Sequence, residues 1–140
     1  MILLGIPGGV MPFNDQITNG FGILAFEICQ AIEPDFSIIS LLYEDFRKEY
    51  FMNLIPSMRY RMGADIEAFV ISNTQIDWDK SESMKKPVFT SINSNFIDKK
   101  NDIFKQWDFS FFNIFNPEDA EGLCGSLLKK LNEYSEIIPV

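Results

Sequence analysis

The sequence contains no histidine, only two cysteines, and no basic residue before Arg47. Each shortage excludes something. Without histidine the chain lacks the commonest general base, the commonest metal ligand and the usual neutral-pH switch. Cys29 and Cys124 are too far apart for a CxxC zinc or redox pair, and two thiols do not make a disulfide framework. They read as buried thiols acting as small apolar residues. A catalytic cysteine would need an activating base, and the usual one is missing. No apolar run approaches the roughly 20 residues that span a bilayer. The apolar opening, Met1 to Val10, has no basic flank and is broken by Pro7-Gly8-Gly9, so it does not read as a signal peptide. The expectation is a cytoplasmic protein with no membrane contact.

What is present is acid and phenylalanine. The 140 residues carry 20 carboxylates against 12 bases, a net charge of −8, and include 14 phenylalanines. The length suits a single domain over residues 1–140. The apolar share, 46%, is too high for disorder. The negative charge opposes direct binding to nucleic acid or to anionic lipid, both polyanions. Residues 1–46 hold six acids and no base. Residues 47–105 are net +2 and residues 106–140 net −4. If the two ends packed together, they would form one acidic face. Arg59, Arg61, Lys85 and Lys86 read as solvated surface.

Periodicity gives a coarse map. Residues 2–6 are a short apolar run, a buried strand or a docking segment. Asn14 or Asp15 is placed to cap a helix whose stripe is Ile17, Phe21, Leu24, Ala25, Ile28 and Ile32, with an Asn19-Gly20 hairpin as the alternative. A second helix is expected from a Ser37 cap to Pro56, with Leu42, Phe46 and Tyr50 on one stripe and a Glu44–Lys48 pair. Residues 64–72 read as a strand, and so do residues 88–97. Residues 98–102 read as a charged turn, and residues 106–115 as the clearest strand. Asn116 and Pro117 then open a C-terminal helix with Ala120, Leu123, Leu127, Leu131 and Tyr134 buried, widened by Cys124 and Leu128. The fold expected is α+β: a three- to four-stranded, mainly antiparallel sheet packed against two N-terminal helices and one C-terminal helix.

Few motifs point to chemistry. The run Ile2-Leu3-Leu4-Gly5-Ile6-Pro7-Gly8-Gly9 resembles the opening of a nucleotide-kinase P-loop. That loop also needs a glycine, a phosphate-binding lysine and a hydroxyl for Mg²⁺. Val10, Met11 and Pro12 stand in those places. The resemblance therefore implies no nucleotide site.

Asp77-Trp78-Asp79 with Glu82 offers two readings. The carboxylates are a weak Mg²⁺ or Mn²⁺ pattern. Alternatively, the tryptophan is an interface anchor ringed by acid. The crowd of Phe104, Trp107, Phe109, Phe111, Phe112 and Phe115 implies either a strand covered on both faces or an exposed aromatic patch.

The function expected is binding, without catalytic, cofactor or metal residues. The chain reads as an acidic inhibitor or immunity protein that neutralises a basic partner, such as a toxin nuclease, by occluding its active site. The expected contact residues are Asp77, Trp78, Asp79, Glu82, Glu44 and Asp45. Charge complementarity carries that reading, since a nuclease must be basic to hold nucleic acid. The abundance of Ile, Asn, Lys and Phe is compatible with an AT-rich bacterial gene. No residue motif of an immunity family is matched. Two rivals are a structural or assembly subunit, viral or secretion-related, and a small carboxylate- or metal-dependent enzyme.

Overall fold

The structure is a computed structural model that describes residues 2–7, 9–10 and 22–137, with side chains up to residue 133. Helix α1 spans Ile23–Ala31, strand β1 Ser37–Leu41 and helix α2 Lys48–Ser57. Strand β2 spans Ile66–Ile71, β3 Thr74–Ile76, helix α3 Trp78–Met84 and strand β4 Phe89–Ser91. Helix α4 spans Ser94–Phe104, β5 is Phe111–Phe112, and α5 runs Pro117–Ile137.

The chain is mixed helix and strand, but the sheet is not antiparallel. β1, β2 and β5 form a parallel sheet in that order, and the antiparallel pair is the separate β3–β4. The reason is the connections. A helix lies between β1 and β2, and the whole β3-α3-β4-α4 excursion lies between β2 and β5. Parallel neighbours require such crossovers.

Several elements depart from the local sequence pattern. Ser37–Leu41 is a strand, not the start of a helix. Its β-branched isoleucines alternate, with Ile39 and Leu41 buried and Ile38 and Ser40 exposed. Glu44 therefore lies outside the helix, and the Glu44–Lys48 helical pair does not form. Nor does Pro56 end α2. The helix passes through it and widens into a π-helical turn over Met58–Met62. Proline lacks the N–H for its helical bond and crowds the carbonyl four residues back, which weakens the helix without ending it here. Gly63 ends the element with φ near +73°, a conformation open mainly to glycine.

The expected strand at residues 88–97 shrinks to β4. Asn93 then caps α4, its side chain accepting the Asn95 N–H at 3.0 Å. Residues 98–102 lie within that helix rather than in a turn. The expected strand at residues 106–115 is cut to the two residues of β5, because Lys105–Trp107 is a 3-10 turn. The predicted caps Asn14 and Asp15, with Ile17, Phe21 and Asn19-Gly20, lie outside the described residues.

The aromatics pack inward. Ile39, Leu41, Phe69, Ile71 and Phe111 share one sheet face and form a core with Phe51 and Leu54 of α2 and Ile97 and Phe104 of α4. Phe51 is fully buried at its centre. Its ring meets Phe69 and Phe111 edge-on at 5.0 Å, and Phe104, Trp107 and Phe109 at 5.8–5.9 Å. Edge-to-face contacts suit the ring quadrupole. Phe112 faces the other way, toward α5, where a Cβ on Gly122 would stand 3.4 Å from its ring. So β5 is covered on both faces, while Phe115 remains exposed.

The C-terminal helix forms as expected. Asn116 accepts the Glu118 N–H at 3.0 Å, a cap on the second turn position. Its stripe of Ala120, Leu123, Leu127 and Leu131 is only half-buried, Cys124 and Leu128 are exposed, and the Tyr134 side chain lies outside those described. Cys29 is half-buried and packs against the edge of the core, so of the two thiols only Cys29 acts as a small apolar residue. Among the described residues, no helix is long and apolar enough to cross a membrane.

Candidate functional site

Parallel sheets place their sites where the strands end at the carboxyl side. Just past the end of β1, the loop of Tyr43, Glu44 and Asp45 meets α3 and α4. Asp77 is the N-cap of α3, accepting the Lys80 N–H at 3.0 Å and the Lys80 ammonium at 2.7 Å. That bonding holds its carboxyl below the usual range. Trp78, the first helical residue, is 42% exposed. Its indole N–H faces the Glu44 carboxylate and favours its charged form. Burial nevertheless raises the pKa of Glu44, and its Oε1 is buried with no partner.

Lys100 of α4 sits beside them. Its ammonium lies 4.1 Å from the Tyr43 ring centre and 2.6 Å from Asp45 Oδ1. The lysine side chain is only 10% exposed, whereas the Asp45 carboxylate projects fully into solvent. Asp45 is thus held through one of its own carboxylate oxygens, and its pKa is lowered by that bond.

The structure therefore brings together Glu44, Asp45, Asp77 and Trp78, residues far apart in sequence. Asp79 and Glu82 are exposed on α3, and Glu82 is one turn from Trp78. The result is an indole ring set among five carboxylates and two lysines. Of the acidic segment 1–46, Glu44 and Asp45 contribute to this face. The acids of residues 44–45 are joined by those of α3, from the middle of the sequence.

As a metal site the motif is poor. Both Asp77 oxygens are engaged by Lys80, and among the described residues no three cysteine or carboxylate groups converge as a metal-binding set. The P-loop reading fails too. Ile2, Leu3 and Leu4 are exposed, and residues 2–6 pair with no strand, so they are not a buried strand. Both crossovers also step the same way across the sheet, so the strand order never reverses to open a nucleotide crevice.

Two polar devices had no sequence signal. Ser81, fully buried, donates to the Asp77 carbonyl at 2.6 Å and accepts the Val88 N–H at 2.8 Å, locking α3 onto β4. The second lies past the end of β5. Asp119 Oδ2 accepts the Asn113 N–H at 3.0 Å and the Asn101 amide at 3.5 Å, while Oδ1 takes the Lys105 ammonium at 3.0 Å. Asn113, also fully buried, donates to Asp98 at 2.7 Å. This network ties α4, β5 and α5 together.

No protein family model matches the chain, and comparison with curated proteins and with solved structures finds no relative. The geometry alone bears on function.

Proposed function

We propose that this chain is an acidic binding module that neutralises a basic partner protein, such as a toxin nuclease, by covering its active site. The observation that supports it most is the exposed Trp78 ring beside Glu44, with Asp45, Asp77, Asp79 and Glu82 on the adjoining loop and helix. Tryptophan is enriched at binding hot spots, because its large rigid ring gains much contact area at little entropic cost. The surrounding carboxylates steer a cationic partner and suppress acidic ones. The lysines offset part of this charge: Lys100 pairs with Asp45 and Lys80 with Asp77, so three of the five carboxylates, Glu44, Asp79 and Glu82, are not matched by them.

The test is kinetic. The protein encoded by the adjacent reading frame is mixed with this chain across a range of salt. A basic partner is expected, with an association rate falling at least ~10-fold from low to high ionic strength and a dissociation rate that changes little. An acidic contact surface, or an association rate indifferent to salt, overturns the proposal.

Trp78→Ala gives the second check. Partner affinity is expected to fall about 30-fold, some 2 kcal/mol, which is the hot-spot scale. Thermal unfolding should move little, because the ring is already exposed. Comparable losses in both measurements would instead make Trp78 a structural residue.

A further inference from the structure

β1 is an edge strand with unusual freedom. The Leu41 carbonyl accepts from Ser72, so Leu41 and Ile39 turn their backbone groups toward β2. Backbone direction alternates along a strand, so Ile38 and Ser40 turn theirs outward. Among the described residues nothing pairs with that side, and Ile38 is 41% exposed. Edges of this kind are normally guarded by lysine, proline or a bulge. Ser37-Ile38-Ile39-Ser40-Leu41 has no charge and no proline, and its one bulge lies at the far end, between Ser37 and Ile38.

The same chain carries a matching segment. Residues 2–6 lie in no helix or strand, are uncharged and as many as those of β1, and Ile2 and Leu3 are 87% and 84% exposed. Just beyond them, Gly9 accepts the Gly22 N–H at 2.7 Å, fixing the root of the segment to the start of α1. In a strand, Ile2, Leu4 and Ile6 would share one face. That face would continue the apolar surface at Ile38.

We infer that residues 2–6 of one copy add as a fourth strand to the β1 edge of a second copy, and that the exchange is reciprocal. Main-chain bonds to Ile38 and Ser40 supply the affinity, and burial of Ile2, Leu4 and Ile38 supplies the driving force. A two-fold exchange closes on itself, so the product is a dimer and not a fibre. The contact is uncharged and the chain is net −8, so salt strengthens the dimer by screening repulsion between copies. Partner binding at the Trp78 face has the opposite salt dependence, and the two proposals can fail separately.

Sedimentation velocity on the whole chain tests this. The wild type is expected to be dimeric at tens of micromolar, and a monomer at all concentrations overturns the inference. The double variant Ile2→Lys/Leu4→Lys and the edge variant Ser40→Pro should each weaken association at least ~10-fold, with circular dichroism unchanged. Ile38→Lys serves if the proline variant does not fold. Mixing the Ile2→Lys/Leu4→Lys chain with the Ile38→Lys chain should restore part of the association, because one intact segment then meets one intact edge. Loss in the edge variant alone would mean edge-to-edge pairing, and loss in the segment variant alone would mean unspecific apolar contact. Either result overturns strand exchange.

Discussion

Phe51→Ala is expected to lower the unfolding free energy by about 3–5 kcal/mol, the range for deleting a fully buried phenylalanine. A domain of this size has some 5–15 kcal/mol in total, so the variant should sit near its unfolding threshold. The physical basis is the ring's position. Phe51 is surrounded by rings from β2, β5, the end of α4 and the 3-10 turn, and none of these can collapse far into the vacated space. The loss therefore includes both the apolar transfer term and a cavity. Urea unfolding followed by tryptophan fluorescence measures it. Met52, the next residue on α2, is the control: it is exposed, and Met52→Ala should stay within about 0.5 kcal/mol. A Phe51→Ala effect below about 1.5 kcal/mol would place the core elsewhere.

Asp119→Ala is expected to cost about 2–4 kcal/mol, since it deletes charge-assisted bonds and leaves buried donors unmatched. The loss falls on three elements at once, because Asn113, Asn101 and Lys105 all lean on this carboxylate. Burial pushes the Asp119 pKa up, but the Asn113 N–H, the Lys105 ammonium and the Asn101 amide outweigh it, so the net shift is downward. The sign of the pH effect follows. A carboxyl with a depressed folded pKa adds stability above its unfolded pKa, near 4, and loses it as pH falls through the folded value. Asp119→Ala should therefore be destabilised at neutral pH and show a shallower acid limb than the wild type. An acid limb parallel to the wild type would show that Asp119 is not the group that titrates.

How much of this was legible in the sequence depends on whether the determinant was local. The C-terminal helix was readable because Asn116, Pro117 and the acids after them act within one turn. β2 was readable from its alternation. β1 was not, because the three- and four-residue spacings from Ile38 to Tyr50 are genuine but cross from a strand through a loop into α2. α4 was hidden by Asn101, a polar residue in the middle of its buried stripe; its amide reaches Asp119 at 3.5 Å, while its Oδ1 is buried without a partner among the described residues. The alternation of Trp107, Phe109 and Phe111 suggested a strand, yet the rings converge because the backbone turns at Asp108, where φ is near +64°.

The candidate face was half legible. Asp77-Trp78-Asp79 stands out as a motif, and the cap that Asp77 forms on Lys80 is local, only three residues on. The clamp of Lys100 on Asp45 is not legible, because it joins residues distant in sequence. The parallel register of the sheet was invisible for the same reason.

That register also fixes an order of events. Phe69 lies opposite Phe111, and everything from β3 to the 3-10 turn must be made before the two strands can meet. Long loops close slowly, and parallel pairing across them is a late step in folding. As the chain leaves the ribosome, β1, α2 and β2 emerge as a unit with Phe51 and Phe69 still uncovered. Those rings remain open to solvent, and to chaperones, until Phe104 and Phe111 have been synthesised. Nascent chains of this protein thus pass through a stage in which their stickiest surface is the future centre of the molecule.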